Sequence, residues 1–403
     1  MSANSTIKVS RRSAIDPFIV MEVMAAANAR ARRGGDVLHL EVGEPAAGAP
    51  PAALEAVRTA MAGGPCGYTE AFGLPMLRHA LAEQYRRQYQ VSAAPARIAL
   101  TVGASGAFIL AFLAAFDAGD RVIVTEPGYP AYRNILSALG IEVVSVPTDL
   151  ATGFQPTPEL LDRVQGPIAG LVLASPSNPT GSVLSRTGLA RVSAWCAQRG
   201  VRIISDEIYH GITYDEPADT ILAFAPDAIV VNSFSKFYGM TGWRLGWLVL
   251  PQELVAPVTR LAQNLFISAP AIAQHAALGA MSDLPELQRR LEHYRRNRAL
   301  LLDRLPRMGL SRMAPPDGAF YLYVDIGHLG LGSVELCRKL LDDTGVALTP
   351  GVDFDPGRGD RYVRLSFAGA ENDVAEAARR MEGWFGTPAP RLEQEPRFAG
   401  ARV

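Results

Sequence analysis

The sequence predicts an α/β fold with a largely parallel sheet in its larger part, followed by a smaller α+β domain. In the middle of the chain, apolar runs rich in β-branched residues alternate with helical patterns; the runs are 121–127, 141–147, 170–176, 201–207 and 228–234. Each run is too apolar for a strand with one solvated face, which indicates strands buried on both sides of a parallel sheet. From about residue 285 the pattern changes to a long charged helix and then mixed strands and helices.

The helices between these strands show one apolar face each. Leu189, Val192, Trp195 and Cys196 fall on a single helical face, and Gly200 is placed to end that helix. Segment 98–116 carries no charge over nineteen positions and has nearly the length of a membrane span. Gly103 to Gly106 in its middle predict instead a strand that ends in a turn and opens a helix.

Domain boundaries follow from the change of pattern. We expect a large domain over residues 46–284 and a small C-terminal domain over 285–386, which the N-terminal segment 1–45 joins. The residues predicted to form the apolar stripe of the long helix are Leu287, Leu291, Tyr294, Leu301 and Leu305. The Pro- and charge-rich segment 387–403 is expected to be a flexible tail.

Composition narrows the possible partners. Across 403 residues, 39 Lys and Arg nearly balance 40 Asp and Glu, so the chain has no basic field for nucleic acid or an anionic membrane. Cys66, Cys196 and Cys337 are far apart, which predicts buried thiols in a reducing cytoplasm. The six histidines show no ligand spacing, so no metal site is expected; His210 is interpreted as a packed residue.

Polar residues gather where the predicted strands end, and ligands of parallel sheets bind at that edge. These residues are Ser105, Tyr129, Asn178, Asp206, Tyr209, Ser233, Ser235 and Lys236, and Ala104 stands beside Ser105 at the start of a predicted helix. Any one of them alone would be read as a turn or capping residue. Together they predict a shared ligand site.

Eight motifs in order identify a family resemblance over nearly the whole chain apart from its two tails. They are GEPA at 43–46, YTEAFGLPMLR at 68–78, TVGASGA at 101–107, EPGYPAY at 126–132, SPSNPTG at 175–181, SDEIY at 205–209, SFSKFYGMTGWRLG at 233–246 and RLSFA at 364–368. They resemble the motifs of pyridoxal-phosphate-dependent aminotransferases of the aspartate aminotransferase superfamily, fold type I, classes I and II. The resemblance implies a mostly parallel seven-stranded sheet covered by helices, and a homodimer with its active site at the interface.

The resemblance also implies catalytic roles. Lys236 would form the Schiff base with pyridoxal 5′-phosphate and shuttle protons, because such chemistry needs an amine that loses its proton easily. Asp206 would keep the pyridine nitrogen protonated. Asn178 and Tyr209 would donate hydrogen bonds to the phenolic oxygen of the ring, and Tyr129 would stack on the ring.

Further roles concern the phosphate and the substrate. The implied phosphate ligands are Ala104, Ser105, Ser233, Ser235, Arg244 and, from the partner subunit, the position of Tyr68. A helix N-terminus and a guanidinium both favour an anion. Arg364 would bind the α-carboxylate of the substrate, with Gly43, Tyr129 and Asn178 as further substrate contacts.

Two departures from the family pattern bear on the substrate. Tyr129 stands where many aspartate-specific members have tryptophan. No second arginine clearly matches the family's contact to a side-chain carboxylate, and Arg32, Arg33 and Arg133 are expected to form exposed salt bridges. We therefore expect a neutral, aromatic or aliphatic amino acid as the donor.

The function implied is transfer of an amino group between an L-amino acid and a 2-oxo acid. The same scaffold also hosts lyases that eliminate at the β-carbon and decarboxylases, so these remain alternatives. A regulatory sensor is a third hypothesis, from a different class. Such sensors carry a DNA-binding region ahead of this fold, and because the resemblance begins near residue 15 we do not expect this function.

Overall fold

A computed structural model describes residues 7–64 and 66–386, and the expected tail 387–403 lies outside them. The α-helices are α1 (Ile19–Arg32), α2 (Pro51–Ala62), α3 (Pro75–Tyr89), α4 (Gly103–Ala115), α5 (Pro130–Leu139), α6 (Pro158–Leu161), α7 (Arg186–Arg199), α8 (Gln252–Leu265), α9 (Ala271–Ser282), α10 (Leu284–Arg304), α11 (Ser333–Thr344) and α12 (Glu371–Gly386). Short 3₁₀ turns connect several of them.

The strands form one large and two small sheets. They are β1 (Leu38–His39), β2 (Ile98–Val102), β3 (Arg121–Glu126), β4 (Glu142–Pro147), β5 (Gly170–Ala174), β6 (Arg202–Asp206), β7 (Ile229–Ser233), β8 (Leu245–Val249), β9 (Tyr321–Asp325), β10 (Val346–Ala347), β11 (Thr349–Pro350) and β12 (Tyr362–Ser366). The large sheet has the order β2-β8-β7-β6-β5-β3-β4, and β8 is antiparallel to both of its neighbours. The prediction of a mostly parallel seven-stranded sheet is confirmed.

All five apolar runs form strands, but one of them is not buried on both faces. Strand β7 is buried at every position, as predicted, whereas β4 leaves Glu142, Ser145 and Pro147 exposed. Strand β4 lies at the edge of the sheet and pairs only with β3. An edge strand has one neighbour and a solvated rim, so apolar content alone overestimated its burial.

Segment 98–116 folds as predicted into a strand and a helix. Strand β2 ends at Val102, and Gly103, with a φ of +66°, turns the chain into α4. Ser185 caps α7 through the N–H of Gly188, and Gly200 ends that helix in the left-handed conformation. Among residues 7–64 and 66–386, no helix has both the length and the hydropathy needed to cross a bilayer.

The C-terminal part packs a three-stranded sheet, β11-β12-β9, against α10, α11 and α12. On α10, Leu287, Tyr294 and Leu301 are buried as predicted, and Leu291 is partly buried. The same face also buries Asn297, whose amide donates hydrogen bonds to the carbonyl oxygens of Phe367 and Gly369. The stripe prediction missed this polar position because hydropathy does not register backbone acceptors.

The N-terminal segment contacts the C-terminal part. Strand β1 pairs in parallel with β10, with Leu38 opposite Val346. This pairing supports our proposal that residues 1–45 join a small domain over 285–386, beside a large domain over 46–284. Of the cysteines, Cys196 and Cys337 are buried as expected, but Cys66 is exposed.

Candidate active site

A cavity of about 280 Å³ opens at the carboxyl edge of the large sheet. Its wall includes residues at or just after the ends of β6 and β7, the start of α4, and residues of β9 and β12. Eleven residues proposed from sequence line it: Gly43, Ala104, Ser105, Tyr129, Asn178, Asp206, Tyr209, Ser235, Lys236, Arg244 and Arg364. Widely separated motifs are therefore brought to one place.

Lys236 lies in the turn that follows β7. Its Nζ donates a hydrogen bond to the carbonyl oxygen of Gly43 at 2.6 Å. Burial lowers the pKa of the lysine to about 8, and the nearby charges of Arg364 and Arg244 contribute in the same direction. A substantial fraction of this amine is therefore neutral near physiological pH, as a nucleophile or general base requires.

Asp206 ends β6 and is only 4% exposed. Its Oδ1 accepts a hydrogen bond from the N–H of Ile208 at 3.0 Å, and its Oδ2 accepts one from the hydroxyl of Tyr132. Burial raises the pKa of this carboxyl to about 6, although both hydrogen bonds and the charge of Lys236 oppose the rise. The site thus holds a carboxylate at neutral pH, and a cationic partner would stabilise it further.

The start of α4 forms a cradle for an anion. Ala104 and Ser105 lie in its first turn, and no side chain caps this helix, so the first N–H groups remain available. A Cβ at Gly103 would lie 2.4 Å from Nη2 of Arg244, so only glycine lets the guanidinium approach this closely. The hydroxyl-bearing residue Ser235 lines the cavity beside them.

Ser233 lies next to Ser235 at the end of β7, and its role as a phosphate ligand stays a prediction. It does not line the cavity, and its hydroxyl donates to Leu245 O at 2.9 Å. The N–H of Ser235 donates to the same hydroxyl at 3.1 Å. The hydroxyl of Ser233 also lies 2.9 Å from that of Ser235, so Ser233 fixes the turn that presents Ser235.

Arg364, from β12, is 4% exposed and reaches the opposite side of the cavity. Its Nη1 donates to Asn178 Oδ1 at 2.8 Å, and its guanidinium lies 4.4 Å from the ring centre of Tyr321. Within the described part of the chain, its buried Nε has no hydrogen-bond partner. A buried guanidinium with spare donors fits a carboxylate ligand.

Two tyrosines of the site were not predicted from sequence. Tyr321 shares a hydrogen bond between hydroxyls with Tyr209 at 2.8 Å, and Tyr132 donates to Asp206. Tyr321 belongs to a strand whose apolar pattern indicated only core packing. Tyr132 stands in the same motif as Tyr129, three residues later and in the first turn of α5. This closeness to a predicted site residue was the signal in the sequence that could have identified it.

The remaining candidates lie as follows. Tyr129 lines the cavity, with its ring 5.8 Å from that of Phe18. Tyr68 is 85% exposed and does not line the cavity of its own chain. Arg133 is partly buried rather than in an exposed salt bridge, and it donates to the carbonyl oxygen of Asp353 at 2.7 Å. His210 is packed as interpreted, bonded to Tyr89 and to the carbonyl oxygen of Ser175.

Comparison with known proteins agrees with this geometry. The sequence model of the family described as aminotransferase class I and II matches residues 35–381. A valine–pyruvate aminotransferase from Mycobacterium tuberculosis is 48% identical over 384 residues, covering 94% of this chain and 99% of its own.

Solved structures give the same relationship. A crystal structure of an aminotransferase from Mycobacterium tuberculosis superposes with a TM-score of 0.93 at 47% identity, covering 95% of this chain and all of its own. Aspartate aminotransferase from Thermus thermophilus with maleate gives a TM-score of 0.88 at 34% identity, covering 94% of this chain and all of its own.

Proposed function

The chain belongs to the class I and II aminotransferases, with fold type I, and we propose that its amino donor is a neutral aliphatic L-amino acid and its acceptor pyruvate or a similar 2-oxo acid. One observation carries the choice of donor. The arginines among the cavity-lining residues that the structure describes are Arg244 and Arg364. Arg244 adjoins the anion cradle and Arg364 suits the α-carboxylate, so these residues offer no guanidinium for a side-chain carboxylate.

Apolar side chains on the same cavity support this choice. Val20, Met21 and Val42 line it beside Gly43. The name of the valine–pyruvate aminotransferase from Mycobacterium tuberculosis, 48% identical, points to the same class of substrate. A branched aliphatic side chain would find apolar contacts there.

Pyridoxal 5′-phosphate is the cofactor we propose, because the site offers each group that it requires. Lys236 provides a buried amine with a lowered pKa, Asp206 a buried carboxylate, and the start of α4 with Arg244 a place for phosphate. When bound, this cofactor supplies an aldehyde carbon that amines attack and a ring that stabilises negative charge on the substrate's α-carbon.

The chain's own residues then have defined tasks. Asp206, ionised above its pKa of about 6, would stabilise a proton on the ring nitrogen of the bound cofactor. Lys236, when neutral, would act as the general base that takes the α-proton of the substrate, and its ammonium form would hold that proton for return as a general acid. Arg364, which lines the cavity, would bind the α-carboxylate with its guanidinium and fix the α-carbon within reach of Lys236.

Asn178 and Tyr209 each have a hydrogen-bond partner within the site, and these partners limit how the two residues can contact the cofactor. The amide oxygen of Asn178 already accepts from Arg364, and this leaves its amide N–H groups to donate to the ring's phenolic oxygen. The hydroxyls of Tyr209 and Tyr321 share a hydrogen bond, so Tyr321 must be its donor when Tyr209 donates to the ring's phenolic oxygen.

The decisive experiment is Lys236→Ala. We expect the purified wild-type enzyme with pyridoxal phosphate to show an absorbance band near the edge of the visible range, and the variant to lack both band and turnover. In a single turnover with amino acid alone, wild type should yield the 2-oxo acid and pyridoxamine phosphate. Release of ammonia and pyruvate would instead indicate a lyase, and an unchanged Lys236→Ala variant would refute the assignment.

Donor screening tests the substrate class. The enzyme is assayed with five amino donors: valine, alanine, leucine, phenylalanine and aspartate. Each donor is paired with pyruvate, 2-oxoglutarate and oxaloacetate as acceptors. We expect kcat/KM for the best neutral donor to exceed that for aspartate by about tenfold or more, because a buried unpaired carboxylate is costly. Preference for aspartate would refute the proposal.

We further propose a homodimer in which Tyr68 completes the partner's site. Gln274 bonds both Thr69 and the carbonyl oxygen of Ala269, and this joins the loop of Tyr68 to the segment of exposed Ile267. Exposed large apolar side chains of this kind favour burial against a second copy.

Hybrid dimers test this arrangement. Lys236→Ala and Tyr68→Ala chains are co-expressed with different tags, and the heterodimer is purified. If Tyr68 acts across the interface, one site combines an intact Lys236 with an intact Tyr68, so the heterodimer recovers about half the wild-type activity. If Tyr68 acts within its own chain, every site in the hybrid is defective.

A further inference from the structure

Helix α1 begins without a cap of its own. Phe18 stands at the N-cap position and provides no side-chain hydrogen bond. The first N–H groups of a helix lack acceptors within the helix, so they need partners from elsewhere. Here they find one distant carboxylate: Asp353 accepts from Ile19 N at 3.1 Å through Oδ1 and from Val20 N at 3.2 Å through Oδ2.

Asp353 is held firmly in its place. Asp353 is 1% exposed and is the last residue of the 3₁₀ turn Gly351–Asp353, which follows β11. Its carbonyl oxygen accepts from Arg133 Nη2 at 2.7 Å. Strand β11 pairs with β12, in which Thr349 stands opposite Arg364. The carboxylate therefore connects the start of α1 to the strand pair that carries the substrate-binding arginine.

The tethered end of α1 is also a wall of the active site. Val20, whose N–H Asp353 accepts, and Met21 both line the cavity. Phe18, one residue before the helix, has its ring 5.8 Å from that of Tyr129. Any shift of this helix end moves apolar side chains that face the substrate.

We propose that Asp353 is a positioning residue that sets donor specificity, by holding Val20 and Met21 against the cavity through its two hydrogen bonds to α1. This inference rests on the proposed function, since it assigns the wall that a neutral side chain would contact. With the helix end fixed, the wall favours a short branched side chain. With it released, the wall recedes, and larger side chains are discriminated against less.

The test compares Asp353→Ala and Asp353→Asn with wild type, using valine and phenylalanine as donors. For Asp353→Ala we expect KM for valine to rise about fivefold, with a smaller change in kcat, and the valine-to-phenylalanine ratio of kcat/KM to fall by a similar factor. Asp353→Asn keeps one carbonyl acceptor, so its values should lie between those of wild type and Asp353→Ala. The cofactor absorbance band should not change.

A matched control exists in Asp360. Its Oδ1 accepts from Ser333 N at 2.9 Å and so caps α11, whose N-cap residue Gly332 has no side chain to do so. Residues of α11 do not line the cavity. Asp360→Ala should therefore lower stability to a similar degree without changing the donor ratio. An equal change of ratio in Asp360→Ala would show a global effect and overturn the proposal.

Hydrogen exchange supplies a readout that does not depend on the substrate. Amide exchange in the first turn of α1 should be faster in Asp353→Ala than in wild type, and unchanged in Asp360→Ala. In a Val20→Ala background, Asp353→Ala should alter the donor ratio less, because the side chain it positions is already truncated.

Unchanged exchange at α1 or an unchanged donor ratio overturns the role of Asp353. If wild type uses no neutral donor, the proposed function fails instead. The role of Asp353 is then tested by the ratio of kcat/KM for two donors of different size that wild type does use.

Discussion

The Nζ atom of Lys236 lies 2.6 Å from the carbonyl oxygen of Gly43, so the amine is anchored to a loop 193 positions earlier in the chain. The same glycine touches Tyr321, since a Cβ at position 43 would lie 1.7 Å from the tyrosine hydroxyl. One glycine thus holds the reactive amine on one side and packs against the ring beneath Arg364 on the other.

Gly43→Ala tests this close contact. The added methyl group must displace Tyr321, which is buried, and with it Arg364. We expect kcat/KM to fall at least about tenfold, because small misplacements of binding groups are costly to catalysis. The control is Gly48→Ala in the same loop, where a Cβ would meet no atom within 4 Å. Equal activities of the two variants would contradict the role given to Gly43.

The protonation of Lys236 predicts how capture of the cofactor depends on pH. The neutral amine is the reactive form and is populated above the pKa of about 8, so the rate at which apoenzyme binds pyridoxal phosphate should rise through that pH. Arg364→Gln removes a nearby positive charge, which makes protonation of Lys236 easier and moves the midpoint upward. Arg364→Lys keeps the charge and should keep the midpoint; stopped-flow absorbance distinguishes these outcomes.

Tyr132→Phe tests the tuning of Asp206. The tyrosine hydroxyl bonds the carboxylate and lowers its pKa, so its removal should raise the pKa of Asp206 above about 6. Cofactor affinity should then weaken more at pH 6 than at pH 8, since only the ionised carboxylate holds the ring nitrogen's proton. Tyr238→Phe is the control, because its hydroxyl bonds Gln84 instead. A loss equal at both pH values would exclude this tuning.

Glu207, next to Asp206, predicts a pH dependence of stability. It is buried, its Oε1 accepts from Ile221 N at 2.9 Å, and its Oε2 lies 3.5 Å from His210 Nδ1. His210 Nε2 must donate to the carbonyl oxygen of Ser175, so the lone pair of Nδ1 accepts the hydroxyl of Tyr89, and the buried Oε2 of Glu207 has no hydrogen-bond partner among the described residues. Burial raises the pKa of Glu207 to about 8.

Because the pKa is raised on folding, the unfolded chain loses this proton first, and the contribution of Glu207 to wild-type stability falls as pH rises from about 4.5 to about 8. Glu207→Gln cannot ionise, so its stability relative to wild type should increase across this window by at most about 1.4 kcal/mol per pH unit. Chemical denaturation from pH 5 to pH 9 measures the difference. A constant difference across that range would contradict a protonated Glu207.

Much of this molecule is predictable from its sequence because the signals are local. Continuous apolar runs predicted the strands of the sheet, and glycines predicted the turn at Gly103 and the end of α7 at Gly200. Long-range packing was less accessible. The edge position of β4, the shielding of Ser233 and the pairing of Tyr209 with Tyr321 depend on which strands become neighbours, and periodicity does not contain this information.

The hydroxyl of Tyr132 and the carboxylate of Asp353 illustrate the same limit. The hydroxyl of Tyr132 bonds a residue 74 positions away, and the carboxylate of Asp353 bonds one that is 334 positions away. Neither position shows an unusual local pattern, so only the folded chain reveals what it contacts.

Strand β8 runs against its neighbours, and this direction decides where Arg244 can act. Gly246 pairs with Ser233 on one side and with Thr101 on the other, so the first residues of β8 meet the last residues of β7 and β2. A strand running with the others would have delivered the guanidinium to the far rim, about 15 Å away for five residues. Because β8 begins at the edge where β7 ends, the short connection between the two strands places the guanidinium of Arg244 and the amine of Lys236 at the same edge of the sheet.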